Sequence, residues 1–269
     1  MRMWVGVTDN DWFEYLSRAE VDEVNFWQPS GRAPFVGLEP GSPFLFKLKR
    51  PYNHIAGGGT FVKCSTLPLL LAWDVFEEKN GAGSRDAFER MIRPLTPNPR
   101  ARDPEIGCTI LGAPFFWPRE FWIANPIGWA ENIVRGRYYD TDEADGSSLW
   151  ASIQERFKDP LAVGLAGQVQ EARARYGEPT LVKPRLGQGA FRVVVTDAYR
   201  RRCAVTGEST PPALEAAHIR PFAESGLNEV ANGMLLRADF HRLFDAGLVT
   251  VTPNLRVEVS PQIKKEWSN

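Results

Sequence analysis

The amino-acid sequence predicts an α+β fold in two parts, a strand-rich N-terminal part and a smaller C-terminal part of strands and helices. Short apolar and aromatic segments separated by glycine and proline turns fill residues 1–135. A stretch rich in proline and glycine at 176–189 is typical of a linker, and strand, loop and helix patterns follow it. These observations predict two domains, 1–175 and 176–269.

The N-terminal part is expected to form a small β-barrel or curved sheet with a few helices. The segment PFLFKLK (43–49) shows the alternation of a half-buried strand. Serine and aspartate are good N-cap residues, and two predicted helices begin after one of them. The predicted helices are 9–18, capped by Asp9, then 84–91, capped by Ser84, and a third within 161–177.

The C-terminal part packs several short elements into few residues. Asp239 is a suitable cap and Gly247 a suitable end for one short helix. The predicted elements are a helix at about 188–200, a strand entering a turn at 203–207, a strand within 214–222, a helix at 240–246, and a hairpin around Pro253 and Asn254.

The charge balance does not by itself indicate a nucleic-acid partner. The chain has a net charge of −1, with 43% hydrophobic and 24% charged residues. Positive charge for a phosphate backbone must therefore be local. The candidates for phosphate contacts are Arg192, Arg200, Arg201 and Arg202, and the alternative for them is a solvated surface.

Cysteine spacing and hydropathy limit the classes of protein to which the chain can belong. The three cysteines, Cys64, Cys108 and Cys203, form no closely spaced pair, so neither a structural zinc nor a disulfide framework is expected. The longest apolar run, at 67–73, is far too short to span a bilayer, and no signal-peptide core is present. We expect a soluble cytoplasmic protein without a membrane partner.

The histidines carry the strongest functional signal. The chain has three histidines, and two of them, His218 and His241, lie within 24 residues together with Asn232. The pattern places His218 on a strand, Asn232 in a loop and His241 on a helix. A strand pair followed by a helix brings such side chains to one edge of a small metal site.

These residues lie in a segment that resembles a known family. The stretch EAAHIRPFAESGLNEVANGMLLRADFHRLFDAGLVTV (215–251) resembles the core of HNH endonucleases, whose fold is called ββα-metal. The preceding stretch PRLGQGAFRVVVTDAYRRRCAVTG (184–207) resembles the segment before this core in restriction-type HNH proteins. The resemblance implies a phosphodiester hydrolase that acts on double-stranded DNA.

The resemblance also implies a role for each motif residue. His218 would be the general base that takes a proton from water, a role that suits imidazole because it titrates near neutral pH. His241 would bind a divalent metal ion, Mg²⁺ or another such as Mn²⁺, and Asn232 would fix the loop that holds His218.

One position departs from the family pattern. Many HNH sites have Asp or His immediately before the base as a second metal ligand, and here that residue is Ala217. Asp245 lies four residues after His241 on the same helix face and is a candidate second ligand. The alternative for Asp245 is a place on the helix surface. Ala217 also leaves open an inactive module that only binds nucleic acid.

The N-terminal pattern resembles PUA-superfamily modules, the group that includes EVE, ASCH, SRA and YTH domains. In restriction enzymes of the McrA type, such modules accompany HNH domains and recognise modified cytosine, so the resemblance implies a reader of a modified base. A flipped base needs aromatic faces and polar groups. The candidates are Asn25, Trp27, Trp73 and Asp74, and the alternative for both tryptophans is the core.

The target and assembly stay open at the level of sequence. Phosphorothioate DNA and unmodified site-specific DNA are alternatives to DNA that carries a modified cytosine. Cutting both strands requires two active sites or two sequential events, so a homodimer is compatible with the predicted activity.

Overall fold

The computed structural model of the chain describes residues 1–31, 37–126, 128–159, 161–162, 186–221 and 227–267. The chain divides into two compact units, Met1–Ala190 (the first unit) and Phe191–Asn269 (the second unit). The predicted boundary between residues 175 and 176, and most of the predicted helix within 161–177, lie outside the described residues.

The first unit combines strands and helices, as expected of an α+β fold. Short 3₁₀ turns follow several of these elements, for example at Glu77–Asn80 and Arg119–Phe121. The elements are β1 (Arg2–Thr8), α1 (Asn10–Leu16), β2 (Glu23–Gln28), β3 (Pro43–Leu48), β4 (Ile55–Pro68), α2 (Leu69–Phe76), α3 (Arg85–Ile92), β5 (Glu105–Phe116), β6 (Gly136–Asp140) and α4 (Ala144–Lys158).

The strands of the first unit form one six-stranded sheet in the order β2-β5-β4-β3-β1-β6. Strands β1 and β3 run parallel, and the other neighbours pair antiparallel. The two edge strands, β2 and β6, do not pair with each other within the described part of the chain. The structure confirms the mixed α+β class. The described strand pairings do not close the sheet into a barrel.

Both faces of this sheet are covered. On β3, Leu45 packs into a core with Ile153 of α4, while Phe44 and Phe46 pack into a second core with Trp12 of α1. All six residues of β3 are buried, so the prediction of a half-buried strand at 43–49 is wrong. A strand between two cores has no solvated face, and its apolar residues need not alternate with polar ones.

The predicted caps of the first unit are confirmed. The Asp9 carboxylate accepts hydrogen bonds from the backbone N–H groups of Asp11 and Trp12 at the start of α1. The Ser84 hydroxyl accepts one from Ala87 at the start of α3. In the described part of the chain, none of the helices has the length and apolar character needed to cross a membrane.

The second unit contains a strand pair followed directly by a helix. Strands β7 and β8 pair antiparallel, with Leu214 opposite Arg237 and His218 opposite Gly233. The second hairpin is the one predicted around Pro253 and Asn254. The elements are α5 (Gln188–Ala198), β7 (Leu214–His218), β8 (Gly233–Arg237), α6 (Ala238–Asp245), β9 (Val249–Val251), β10 (Val257–Val259) and α7 (Pro261–Trp267).

Two local predictions for the second unit are wrong. Helix α6 begins at Ala238 with Arg237 at the N-cap, so Asp239 lies in the first turn and is not the cap. Its carboxylate accepts two hydrogen bonds from the Arg237 guanidinium, at 2.7 and 2.6 Å, and this pairing lowers the pKa of Asp239 to about 2. The strand expected at 203–207 is a turn.

Cys203 closes that turn. Its thiol sulfur accepts hydrogen bonds from the backbone N–H groups of Thr206, at 3.4 Å, and Arg237, at 3.3 Å. Burial raises the pKa of the Cys203 thiol, but the hydrogen bonds of the Thr206 side chain and of nearby backbone N–H groups outweigh burial, so the pKa lies below its usual value. The thiol therefore ties the turn to the start of α6.

Substitution of Gly81 tests the packing of α1 in the first unit. Gly81 has a φ of +81°, and a Cβ atom there would lie 2.2 Å from Cδ1 of Trp12. We expect Gly81→Ala to lower the free energy of unfolding by roughly 2–5 kcal/mol, because backbone strain and overpacking add. Chemical denaturation followed by tryptophan fluorescence measures this change.

Gly83→Ala is the matched control. A Cβ atom at Gly83 would lie no closer than 3.5 Å to Tyr15, an ordinary contact. We expect a change within about 0.5 kcal/mol, as for other tolerated surface substitutions. Equal effects of the two substitutions would contradict the close packing of Trp12 against Gly81.

Candidate active site

Two contacts fix the imidazole of His218, one on a face of the ring and one at a ring nitrogen. It is the last residue of β7, and its imidazole stacks on the ring of Phe191 from α5, with centroids 4.1 Å apart and planes at 9°. Phe191 is 1% exposed, so the stack has a rigid base. The Oδ1 atom of Asn228 lies 2.8 Å from Nε2 of His218. Both the plane and the rotation of the imidazole are therefore fixed.

A glycine opposite His218 makes room for this stack. Gly233 pairs with His218 across β7 and β8. A Cβ atom at Gly233 would lie 2.2 Å from Cγ2 of Val195 and 3.1 Å from the Phe191 ring. Any larger residue at this position would push α5 away from the strand pair, since real Cβ contacts are longer.

Asn232 holds the two ends of the loop that follows His218. Its Oδ1 accepts from the backbone N–H of Arg220 at 2.9 Å, and its Nδ2 donates to the carbonyl oxygens of Arg220 and Leu227, both at 3.1 Å. The backbone carbonyl of Asn232 also accepts from the N–H of Ile219 at 2.8 Å. These contacts fix the backbone on both sides of the loop, and the effect of Asn232 on His218 that the resemblance implies stays a prediction.

His241 lies between two carboxylates. Its Nδ1 is 2.7 Å from Oε2 of Glu215 on β7, and its Nε2 is 3.3 Å from Oδ2 of Asp245, one turn later on α6. A neutral imidazole carries one N–H and can donate to only one of them. In the neutral form the second nitrogen would face a carboxylate without a shared proton, and a divalent cation could bridge the two.

Glu215 is the site residue that the sequence analysis missed. Residues two apart on a strand point to the same face, so Glu215 lies on the face of Ala217. Ala217 is fully buried, whereas the longer side chain of Glu215 reaches His241. The alternation of β7 was the signal that could have identified Glu215 as the carboxylate on this face.

The chemistry of these side chains fits a divalent cation with few protein ligands. Carboxylate oxygen is a ligand for Mg²⁺ and Mn²⁺, imidazole nitrogen is a ligand for many transition-metal ions, and Mg²⁺ keeps several waters when bound. Within the described residues, no group of three His, Cys, Asp or Glu side chains is placed to hold a metal ion. The arrangement thus offers His241 and Asp245 as a ligand pair, with Glu215 on the other ring nitrogen.

The arginines proposed for phosphate contacts lie within α5 and just beyond its end. Arg192 is half-buried on α5. Arg200 and Arg201 adopt left-handed backbone conformations, with φ of 54° and 58°, and Arg200 and Arg202 are exposed. The Arg201 guanidinium lies 3.6 Å from the Asp197 carboxylate. Their contact with DNA stays a prediction.

In the described part of the first unit, the four residues proposed for a base pocket have different surroundings. Asn25 is fully buried, and its Nδ2 donates to Oδ1 of Asn80 at 2.9 Å. Trp73 packs against Phe88 with ring centroids 5.8 Å apart, and Asp74 is exposed. Of the four, Trp27 lines a cavity of about 480 Å³ in the first unit.

Comparison with known proteins finds a family to which part of the second unit is similar. Residues 203–252 match the HNH_2 family model, described as HNH endonuclease. The match covers under one-fifth of the chain and contains β7, β8, α6 and β9. It supports an HNH endonuclease domain in this part of the chain, and that family indicates nuclease activity on DNA.

The other two comparisons add no evidence on function. No curated protein matches the sequence. Two crystal structures of mutants of the ZmASCH protein from Zymomonas mobilis are similar, with 8% and 7% identity and a TM-score of 0.36 each. Each alignment covers 56% of this chain, and 97% and 95% of the ZmASCH chains. Similarity at this level does not bear on function.

Replacement of Asn232 tests its hold on the loop. We expect Asn232→Ala to lower the free energy of unfolding of the second unit by about 1–3 kcal/mol, because three side-chain hydrogen bonds are lost in a partly exposed setting. Hydrogen exchange of the Arg220 amide should accelerate, since its acceptor is removed. Denaturation and hydrogen-exchange mass spectrometry measure both effects.

Asn254→Ala is the control, because Asn254 lies exposed in the turn between β9 and β10. It should leave both the stability and the exchange of the Arg220 amide unchanged. Unchanged exchange in Asn232→Ala would contradict the role of Asn232 in holding the loop.

Proposed function

We propose that this protein is a divalent-metal-dependent endonuclease that hydrolyses phosphodiester bonds in DNA carrying a modified cytosine. The observation that carries the proposal is the fixed imidazole of His218, stacked on Phe191 and bonded to Asn228, on the same strand as the carboxylate that contacts His241. Glu215 and His218 are three residues apart on β7, so their Cα atoms are separated by about 10 Å. Strand β7 thus holds both histidines, His218 as its last residue and His241 through the contact with Glu215.

His218 acts as the general base in this proposal. The Asn228 oxygen accepts from Nε2–H and selects the tautomer in which Nδ1 carries the lone pair. Nδ1 takes a proton from a water molecule as the water oxygen forms a bond to phosphorus and the bond from phosphorus to the 3′ oxygen breaks. Solvent protonates the leaving oxygen. The stack on Phe191 and the Asn232 contacts keep the imidazole in place for this step.

His241 and Asp245 hold the divalent cation, Mg²⁺ or Mn²⁺, through Nε2 and the carboxylate. When bound, the cation neutralises charge on the phosphate and stabilises the leaving oxygen. Glu215 accepts from Nδ1–H and directs the Nε2 lone pair toward the ligand position, as carboxylates beside metal-binding histidines do. Arg192 and Arg200–Arg202 contribute the salt-dependent contacts with the DNA backbone.

In this proposal the first unit recognises the DNA and selects the modified cytosine. The nuclease residues occupy the second unit, while the first unit has its own cores and a cavity bordered by Trp27. Such a unit has the means to recognise DNA independently of the cutting site. The proposal also includes a cytoplasmic location and a homodimer in which each copy cuts one DNA strand.

Cleavage of defined duplexes tests the activity. We expect wild-type protein with Mg²⁺ or Mn²⁺ to cut DNA that contains 5-methylcytosine or 5-hydroxymethylcytosine and to spare unmodified and phosphorothioate DNA. His218→Ala should slow cleavage by at least roughly 10²–10⁴-fold, the contribution of a general base. Cleavage of supercoiled plasmid distinguishes a nick from a double-strand cut. A double-strand cut is expected if two copies act together.

His54→Gln is the control, since His54 is the one histidine of the chain outside the motif. Its cleavage rate should equal that of wild type. Equal cutting of all substrates would retain the nuclease and refute modification dependence. Binding without cutting in any metal would establish an inactive module.

Metal binding tests the role of the carboxylates apart from activity. We expect Mn²⁺ to bind the wild-type protein and to bind His241→Ala or Asp245→Asn far more weakly. Binding is measured as the loss of the electron paramagnetic resonance signal of free Mn²⁺. Glu215→Gln should weaken binding about tenfold or more, as for other groups that orient a metal-binding histidine. Glu258→Gln, on exposed β10, is the control and should bind normally.

A further inference from the structure

We infer that Glu23 is a positioning residue for the imidazole of His218, acting through helix α5 and the Phe191 ring that this helix carries. The inference rests on the proposed function, because it concerns the general base of the proposed reaction. Glu23 lies on β2 and is fully buried. Two of its hydrogen-bond partners lie 166 and 167 residues later in the chain, at the start of α5.

The Glu23 carboxylate caps the start of α5. Its Oε1 accepts from the backbone N–H of Gly189 at 2.7 Å, and its Oε2 accepts from that of Ala190 at 2.9 Å. These are the second and third residues of the helix, whose N–H groups an N-cap side chain normally bonds. The residue before the helix is Gly187, which has no side chain to serve as the cap. A carboxylate from β2 therefore takes that role.

Two glycines make room for this carboxylate at the helix start. A Cβ atom at Gly187 would overlap the carboxylate carbon of Glu23. A Cβ atom at Gly189 would lie 2.9 Å from Oε1 of Glu23 and 2.8 Å from the ring of Phe76. These distances are shorter than real Cβ contacts, so the absence of both side chains allows the helix start to approach Glu23 this closely.

Lys79 balances the charge of this buried carboxylate. Its Nζ lies 3.0 Å from Oε1 of Glu23 and 2.6 Å from Oδ1 of Asp22. Burial lowers the pKa of Lys79, but the two carboxylates raise it overall, so the ammonium group is charged at neutral pH. Hydrogen bonds to a charged group are stronger than those between neutral groups. The paired carboxylate therefore holds the first turn of α5 firmly.

The helix transmits this constraint to the proposed base. Phe191 directly follows Ala190 in α5, and its buried ring stacks on the imidazole of His218 with centroids 4.1 Å apart. Backbone hydrogen bonds fix each residue of a helix relative to its neighbours, so a change in the first turn moves Phe191. A displaced ring would leave the imidazole without its flat support. Misplacement of a catalytic group by about 1 Å costs roughly 10²-fold in rate.

Nuclear magnetic resonance of the histidines tests the inference without any need for cleavage. Full-length protein in EDTA carries isotope-labelled histidine, and His218→Gln identifies the signals of His218. At alkaline pH, where each imidazole is neutral, the Phe191 ring should displace the carbon-bound ring protons of His218 upfield relative to Phe191→Leu. The signals of His54 and His241 report whether the rest of the chain keeps its structure.

Glu23→Gln keeps the size of the side chain and replaces one acceptor oxygen with an amide group that donates. That amide would face a backbone N–H group at the start of α5, so the contact is lost on one side. We expect the His218 signals to move most of the way to their position in Phe191→Leu. The other two histidines should keep their signals.

Asp22→Asn is the matched control, because its exposed carboxylate pairs with the same Lys79 ammonium group. It should leave the signals of all three histidines unchanged. Gly187→Ala disturbs the contact from the helix side, since its Cβ would overlap the Glu23 carboxylate. It should displace the His218 signals in the same direction as Glu23→Gln, and it decides the matter if Glu23→Gln does not fold.

Cleavage kinetics give a second measurement. We expect Glu23→Gln to lower kcat by about tenfold or more and to leave KM unchanged, because the base is misplaced while the contacts with DNA are kept. Asp22→Asn should cut at the wild-type rate.

The outcomes separate this inference from the proposed nuclease. If the His218 signals keep their wild-type position in the folded variants, or move only together with those of His54 and His241, the positioning role is refuted and the nuclease stands. An absence of cleavage by wild type would overturn the proposed function. The histidine signals would then still decide whether Glu23 positions the imidazole.

Discussion

The pairing of β7 with β8 is the constraint on which the candidate active site depends. It sets His218 opposite Gly233, and the missing side chain at Gly233 lets Phe191 approach and stack on the imidazole. Asn232, immediately before Gly233, is carried by the same register to the loop that follows His218. A shift of one residue would reverse the faces of one strand relative to the other and separate these contacts.

The same strand explains how the site accommodates Ala217. In a strand, the side chain two residues away occupies the same face, and a glutamate is long enough to reach a helix packed there. Glu215 contacts His241 in this way, and Asp245 approaches the other ring nitrogen from within α6. A carboxylate near His241 is therefore supplied from positions other than residue 217, where many HNH sites have an Asp or His.

The first unit shows how burial on two faces limits what a pattern can predict. The caps at Asp9 and Ser84 were predictable because capping depends on residues three or fewer positions away. The burial of β3 was not, because it depends on α1 and α4 covering opposite faces of the sheet. Likewise, Asn25 and Trp27 are neighbours in the predicted pocket, yet Asn25 bonds to Asn80 inside the core while Trp27 reaches the cavity.

The sequence by itself determined the α+β class, the strand, loop and helix that carry His218, Asn232 and His241, and the match of this region to HNH endonucleases. These features depend on residue types at short spacings, which local backbone geometry converts directly into structure. The tertiary structure decided the partners of those residues, namely Phe191 and Asn228 at His218, and Glu215 at His241. It also decided that Trp27 lines a cavity, because that cavity joins segments more than 100 residues apart and no local pattern records their approach.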